Sequence, residues 1–251
     1  MAVSESAVTI ANGNWGATSL RAAGAVLESA AAVLCGAFGR RPDAPVHVMP
    51  GDEPPYVARE RRPYLIWISA RDTYWCQYAY QFSRELCRVL VNFDRIRGHR
   101  HRWFEESVCE LAAIFVLVRL SERFRHCPPP EVFGAAEFAP HFAAYAHSIA
   151  GSVPAVPRVN LPAWLSGNLP ALEGHHAHRE LNRTAAVAML DSFLEDESLW
   201  RDCEALNRWD ARGDASFADH LDSWTAHLLP MERAARTPRL LRDLFYAKSA
   251  L

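Results

Sequence analysis

The order of strand-like and helix-like segments is the feature that most constrains the fold of this chain. Strand patterns occur only near the N-terminus, at 45–49 and 64–70, and the second is apolar and rich in aromatic and β-branched residues. An alanine-rich segment with helical spacing, 17–38, precedes them, and a proline-rich loop, 50–63, separates them. Every later pattern is helical. This order predicts an α+β fold that is mostly helical, with a small N-terminal sheet packed on a long helix.

Helical patterns fill the chain beyond the second strand. Two long helices are expected at 73–93 and 103–124. Shorter helical patterns follow at 138–150, 177–196, 198–207, 216–229 and 237–247. We therefore predict an N-terminal α/β lobe, 1–94, that ends with the first long helix, and a helical lobe, 95–251, that begins with the second. The proline-rich loop 151–170 is a further candidate boundary.

Composition and charge exclude several classes of protein. Half of the residues are hydrophobic, which suits a folded core and not a disordered chain. The formal net charge is −2, so no basic excess is present to neutralise nucleic-acid phosphates. The longest apolar stretch, 108–120, is too short to span a bilayer, and the N-terminus lacks the pattern of a secretory signal. We expect a cytoplasmic protein without nucleic-acid or membrane partners, and the oligomeric state stays open.

The helix at 73–93 has one apolar face and one polar face. The polar residues recur at three- and four-residue spacing: Gln77, Gln81, Arg84, Glu85, Arg88 and Asn92. A solvated surface would explain this pattern, but the helix directly follows an apolar strand, which suggests that it lies inside the fold. The next helix carries two acidic residues one turn apart, Glu106 and Glu110. If the two helices pack together, the two arginines would pair with these two glutamates.

Two segments of the chain resemble a known family. The segment 80–90, Tyr-Gln-Phe-Ser-Arg-Glu-Leu-Cys-Arg-Val-Leu, resembles the active-site helix of the gluzincin metallopeptidases, whose motif is H-E-x-x-H. The run Trp-Phe-Glu-Glu at 103–106 is similar to the family's second segment, in which a tryptophan precedes the third zinc ligand. The resemblance covers about residues 45–125 and implies a zincin-like fold. It implies that Glu85 stands at the position of the general base, Glu106 at that of the third ligand, and Glu110 at that of an acidic supporting residue.

The chain departs from the family at both zinc-ligand histidines, which are replaced by Arg84 and Arg88. A guanidinium stays protonated in proteins and has no lone pair for a metal, so these residues cannot bind zinc. The two arginines bring the same charge of +2 as the zinc ion, and they would therefore neutralise glutamates packed beside them. We predict a site with no metal and no cofactor.

The leading functional hypothesis is a metal-independent enzyme in a biosynthetic pathway, acting on a small anionic or carbonyl-containing substrate. Glu85 would transfer a proton, and Arg84 and Arg88 would hold an anion or oxyanion in the planar fork that arginine offers. The residues expected to bind substrate or to support the site are Glu106, Glu110 and Gln81. The partner would be a small-molecule or peptide substrate.

Two other functions stay open. The first is an inactive pseudopeptidase that serves as a binding or regulatory protein, in which the arginines only stabilise the two helices. The second is a zinc hydrolase with substitute ligands, for which His99 and His101 are candidates. The tract 174–178, Gly-His-His-Ala-His, resembles a metal-binding tract but equally suits a solvated helix start. The aromatic group Tyr74, Trp75, Tyr78 and Tyr80 suits packing, or contact with an organic ligand.

Overall fold

The computed structural model describes residues 8–58, 61–93, 95–231 and 233–246. The strands are β1 (Val8–Ile10), β2 (Val46–Pro50), β3 (Tyr56–Val57) and β4 (Tyr64–Ile68). The helices are α1 (Leu20–Phe38), α2 (Trp75–Leu90), α3 (Arg102–His126), α4 (Ala135–Ala150), α5 (Leu161–Gly174), α6 (Arg179–Glu195), α7 (Leu199–Cys203), α8 (Phe217–Leu228) and α9 (Arg236–Tyr246). The chain is mostly helical with a small mixed sheet near the N-terminus, so this part of the predicted fold class is confirmed.

The chain divides into two compact units. Unit 1 contains residues 1–90 and 112–149, and unit 2 contains 91–111 and 150–251. The predicted lobe boundary at 94/95 falls close to the first change of unit. The predicted second lobe, however, includes 112–149, which pack with unit 1. The reason is that α3 is one continuous helix whose first part belongs to unit 2 and whose second part belongs to unit 1.

Unit 1 is built on a four-stranded sheet in the order β1-β2-β4-β3. The strands β1, β2 and β4 are parallel, and β3 runs antiparallel to β4. In β4 the alternate residues Tyr64, Ile66 and Ile68 are buried, as expected for a strand with one face on the core. On the opposite face of the sheet, the ring of Tyr56 stacks on that of Trp67, with centroids 4.7 Å apart.

Helix α1 packs on this sheet and on α2 inside unit 1. Its side chains at helical spacing, among them Val26, Leu27 and Leu34, are fully buried. Among the described residues, α1 is long and apolar enough to cross a membrane by length and composition, and 56% of that stretch is buried. A core helix of a soluble protein passes the same test, so the chain is compatible with a soluble protein.

The segment 15–17 is hydrogen-bonded to Asp72, just before α2. The carboxylate of Asp72 accepts a hydrogen bond from the backbone N–H of Ala17 at 2.6 Å, and the N–H of Asp72 donates to the carbonyl of Trp15 at 2.8 Å. Gly16 has a φ of +72°, and a Cβ there would lie 2.2 Å from Asp72 Oδ1. Only glycine therefore fits this close approach.

Unit 2 contains the first part of α3 and the helices α5 to α9. Its core is aromatic, with Trp103, Phe104, Phe217 and Trp224 almost fully buried and in mutual ring contact. Helix α5 begins at Leu161, within the segment 151–170 that was predicted to be a loop, so the second half of this predicted loop is helical. Pro162 is tolerated in the first turn, where an N–H has no helical partner, and Pro170 lies inside the helix.

Candidate functional site

The predicted site residues lie in both units. Gln81, Arg84, Glu85 and Arg88 are on α2 in unit 1, whereas Glu106 and Glu110 are on the first part of α3, in unit 2. Each group is therefore described within its own unit.

Glu85 and Arg88 form an ion pair within one turn of α2. Nη1 of Arg88 lies 2.5 Å from Oε1 and 2.7 Å from Oε2 of Glu85, so one nitrogen serves both carboxylate oxygens. Glu85 is fully buried, and 13% of the Arg88 side chain is exposed. The helix places residues three positions apart on one face, which brings the two charges together. The arginine thus compensates the carboxylate that the resemblance puts at the general-base position.

Gln81 holds the end of strand β4. Its Oε1 accepts hydrogen bonds from the backbone N–H groups of Ser69 at 2.8 Å and Ala70 at 3.1 Å. Its Nε2 is 3.3 Å from the hydroxyl of Ser69. The amide therefore satisfies two backbone donors just beyond the strand, which ties α2 to the sheet. These contacts give Gln81 a positioning role, which is the second of the two roles that the sequence left open for it.

Glu110 has a cationic partner that the sequence did not indicate. Arg183 on α6 donates from Nε to Oε1 of Glu110 at 2.7 Å, and from Nη1 to the hydroxyl of Ser152 at 2.8 Å. Glu110 and the neighbouring Glu106 are 3% and 6% exposed. Arg183 lies 73 residues beyond Glu110, so no local spacing could have revealed the pair. The pairing of Arg84 and Arg88 with these glutamates stays a prediction.

The residues at the metal-ligand positions do not fit a zinc ion. Arg88 is committed to Glu85, and a guanidinium offers no lone pair. In the part of the chain that the structure describes, no group of three or more His, Cys, Asp or Glu side chains is placed to hold a metal ion. No step through zinc can be derived from these side chains.

His99 and His101 belong to a buried histidine cluster in unit 2, together with His220. The three ring centroids are 4.9 to 6.4 Å apart. Nδ1 of His220 is 3.0 Å from Oδ2 of Asp214, and Nε2 of His101 is 3.2 Å from the carbonyl oxygen of Asp214. His220 and Asp214 come from a distant part of the chain, and no short motif marks them.

The environment of this cluster keeps His99 and His101 neutral. Burial, reinforced by the nearby His220, lowers the pKa of His99 and of His101 to about 4. Burial alone would raise the pKa of the Asp214 carboxyl. Hydrogen bonds from His220, Ser223 and Trp209 outweigh burial there, so this pKa lies below its ordinary value. His99 and His101 are thus neutral imidazoles in a cluster that also holds an anchored carboxylate.

The histidine tract at 175–178 has a structural role at two helix ends. His178 is the N-cap of α6 and its side chain accepts from the N–H of Leu181 at 3.5 Å. His175 is the C-cap residue of α5, and its N–H donates to the carbonyl of Ala171. These contacts agree with the helix-start alternative for this tract.

The aromatic residues at the start of α2 separate into two groups. Trp75, Tyr78 and Tyr80 are buried, and Tyr78 donates to the carbonyl of Trp15 at 3.4 Å. Burial raises the pKa of Tyr78 to about 12, so this phenol stays protonated. Tyr74 differs from them because 60% of it is exposed. Three of the four are therefore packing residues, and Tyr74 is open to a ligand.

Comparisons with known proteins add no relative to these observations. The chain matches no protein-family model, no curated protein and no solved structure.

Proposed function

We propose that the protein is a catalytically inactive pseudopeptidase that works as a binding protein, with a zincin-like arrangement in which arginines stand at the metal-ligand positions. The buried ion pair of Glu85 and Arg88 carries this proposal. A general base has to reach a proton on its substrate. Here the carboxylate is fully buried and both of its oxygens are within hydrogen-bond distance of Arg88.

The same pair argues against the leading enzymatic hypothesis. That hypothesis needs Glu85 to accept a proton and Arg88 to hold a substrate anion. A neighbouring cation stabilises the charged carboxylate and makes it a poorer proton acceptor. A guanidinium that already serves a carboxylate has fewer donors for a substrate. The geometry therefore favours the binding protein over the metal-independent enzyme.

The order of elements in unit 1 supports the resemblance on which the proposal rests. The apolar strand β4 leads directly into α2, which carries the R-E-x-x-R segment. In one respect the chain departs from the family, in which the strand before this helix lies at the edge of the sheet, because β4 lies between β2 and β3. Gln81 then fixes the spacing between this strand and the helix.

The proposed ligand is a small molecule or a peptide, and the proposed location is the cytoplasm. The net charge of −2 gives no reason to expect nucleic acid. The buried face of α1 supports a soluble location, since the side chains of this apolar helix are used by the core of unit 1.

The absence of catalysis is tested with quenched fluorescent peptides of mixed sequence. The purified protein is incubated with them in the presence of zinc and, separately, of a chelator. We expect no cleavage above a heat-denatured sample. Cleavage by the wild-type protein that disappears in a folded Glu85→Gln variant would overturn the proposal in favour of an enzyme. Cleavage that occurs with zinc but not with chelator would identify a zinc hydrolase.

The scaffold is tested by restoring the motif. The double variant Arg84→His with Arg88→His recreates H-E-x-x-H on α2. The matched control is Arg119→His with Arg123→His, which puts two histidines at the same spacing on α3. Zinc affinity is measured by titration calorimetry. We expect the α2 variant to bind zinc at least about tenfold more tightly, because a metallopeptidase-like backbone supplies more than two ligands. Equal affinities would contradict the zincin-like arrangement.

A further inference from the structure

A pocket of about 520 Å³ lies in unit 1, between the start of α2 and helix α4. This volume is in the range of small-molecule sites. The pocket is lined by Thr73, Tyr74, Cys76, Gln77, Phe138, His141, Ala144, Tyr145 and Ser148. Tyr74 is one of four aromatic residues for which the sequence left packing or contact with an organic ligand open, and its exposed ring lines this pocket.

Packing holds the rings of the pocket in place. Tyr145 meets Tyr80 edge to face, with centroids 6.1 Å apart and an interplanar angle of 85°. Phe138 packs on His141 with centroids 4.9 Å apart and on the buried Phe142 at 5.3 Å. Aromatic walls that are fixed before binding offer flat contact area at a low entropic cost.

The described lining of the pocket contains one imidazole, that of His141. Among the described residues that line it, none is Asp, Glu, Lys or Arg. Burial raises the pKa of the Cys76 thiol to about 12, so this group stays neutral and is not a nucleophile. The polar groups of the lining include the hydroxyls of Thr73 and Ser148, the amide of Gln77, the phenols of the two tyrosines and the imidazole of the histidine. A charged ligand would lose hydration here without gaining an ionic partner.

We propose that this pocket binds a neutral, planar aromatic molecule that makes hydrogen bonds through one or two polar groups. The inference rests on the proposed binding function and names the class of ligand. The rings of Tyr74, Phe138 and Tyr145 would contact the faces or edges of the ligand. Gln77 and Ser148 would bind its polar groups.

The test uses two fluorescent probes that differ only in charge. N-phenyl-1-naphthylamine is neutral, and 1-anilinonaphthalene-8-sulfonate is the same ring system with a sulfonate. Both are titrated into the purified protein at neutral pH. We expect saturable binding of the neutral probe, and binding of the sulfonated probe that is at least about tenfold weaker, because the described lining holds no Lys or Arg to pair with the sulfonate.

Ala144→Trp fills the pocket, and Ala143→Trp is its matched control. Ala143 is exposed on the same helix and does not line the pocket. We expect Ala144→Trp to weaken binding of the neutral probe at least about tenfold and Ala143→Trp to leave it unchanged. If Ala144→Trp fails to fold by circular dichroism, Ser148→Trp and its neighbour His147→Trp repeat the comparison one turn later.

Three results would overturn the proposal: no saturable binding of the neutral probe, equal binding of both probes, or equal binding by the filled and control variants. Competition by aromatic peptides alone, with no competition from free neutral aromatic compounds, would also overturn it and assign the pocket to a protein partner. None of these results depends on peptide cleavage. Failure of this proposal and failure of the proposed function are therefore distinguishable.

Discussion

Asn92 and Asn207 support each other's segments of unit 2 in a reciprocal way. Both have a left-handed backbone, with φ of 58° and 59°, and both are nearly fully buried. Nδ2 of Asn92 donates to the carbonyls of Glu204 and Leu206, each at 2.9 Å. Nδ2 of Asn207 donates to the carbonyl of Val91 at 2.9 Å and to the carboxylate of Glu105 at 3.0 Å. Each amide thus satisfies the backbone beside the other.

The first prediction concerns the side chain of Asn92. Asn92→Ala removes two buried hydrogen bonds and puts alanine in a left-handed conformation, so we expect a loss of about 3 kcal/mol in the free energy of unfolding. Asn92→Gly loses the bonds but tolerates the backbone, and should cost about 1 kcal/mol less. Urea unfolding measures both. Asn168→Ala, which removes one bond to Trp164 on a half-buried helix, is the control and should have the smallest effect.

The second prediction concerns the ion pair of α2. Arg88→Met leaves the buried Glu85 carboxylate without this guanidinium, and we expect a loss of about 3–5 kcal/mol. Glu85→Met should cost less, since the Arg88 side chain is 13% exposed and regains some hydration. The double variant should recover much of the loss, because two apolar side chains of similar volume replace the pair.

Together these variants form a double-mutant cycle, which measures the coupling energy of the pair. A second cycle on Arg119 and Glu122 of α3 is the control, because they form an ion pair at 3.1 Å with the same three-residue spacing. Their side chains are 22% and 54% exposed, so the coupling energy should be below about 1 kcal/mol. Similar coupling energies for the two pairs would mean that Glu85 is accessible to water in solution, which would reopen the enzymatic hypothesis.

The third prediction is a loss of stability in acid. The unfolded chain protonates His99 and His101 near their ordinary pKa of 6.5, whereas the folded chain does so only near 4. Because the unfolded state binds more protons between these values, the free energy of unfolding should fall as the pH drops from 6.5 to 4, and the contribution of these two histidines should level off below that. The slope is about 1.4 kcal/mol per pH unit for each proton.

Variants assign this acid sensitivity to the cluster. His99→Gln should flatten the stability curve between pH 6.5 and 4, measured by urea unfolding at closely spaced pH values. His126→Gln changes an exposed histidine at the end of α3 and should leave the curve as it is in wild type. If both variants keep the wild-type slope, other groups cause the acid sensitivity.

The fourth prediction compares two glycines. Gly16→Ala introduces a Cβ 2.2 Å from Asp72 Oδ1 at a φ of +72°. It should therefore lower the thermal midpoint and disrupt the hydrogen bonds between Asp72 and the segment 15–17. Gly36→Ala lies in α1, has nothing within 4 Å of the new Cβ, and should raise stability by about 0.5–1 kcal/mol. Thermal melts that show equal effects would contradict the geometry at Gly16.

The parts of the fold that the sequence predicted are those with local signals. The helices α2 and α3 and the strand β4 carry periodic apolar residues, and the structure has them where the pattern indicated. Strands β1 and β3 are only three and two residues long, too short for any period to be visible. They exist because they pair with β2 and β4 in register, which is information from other parts of the chain.

In the candidate site too, local spacing indicated some of the contacts, and others join distant parts of the chain. The spacing of Glu85 and Arg88 puts both on one helix face, and the structure joins them. Spacing alone could not tell that they would bind each other, since a charged helix face is usually solvated. The partner of Glu110 comes from α6, and the partners of His99 and His101 come from residues 214–220. Such pairs are decided by tertiary folding.

The passage of α3 through both units has a consequence for synthesis on the ribosome. Residues 91–111 emerge before 112–149, yet their unit is completed only by residues beyond 149. Trp103, Phe104 and Val108 are buried in the folded protein, in a unit that also requires residues beyond 149. Until those residues have been translated, the nascent chain carries apolar side chains that belong to an incomplete unit. We therefore expect nascent chains that end before residue 150 to bind chaperones more readily than the folded protein does.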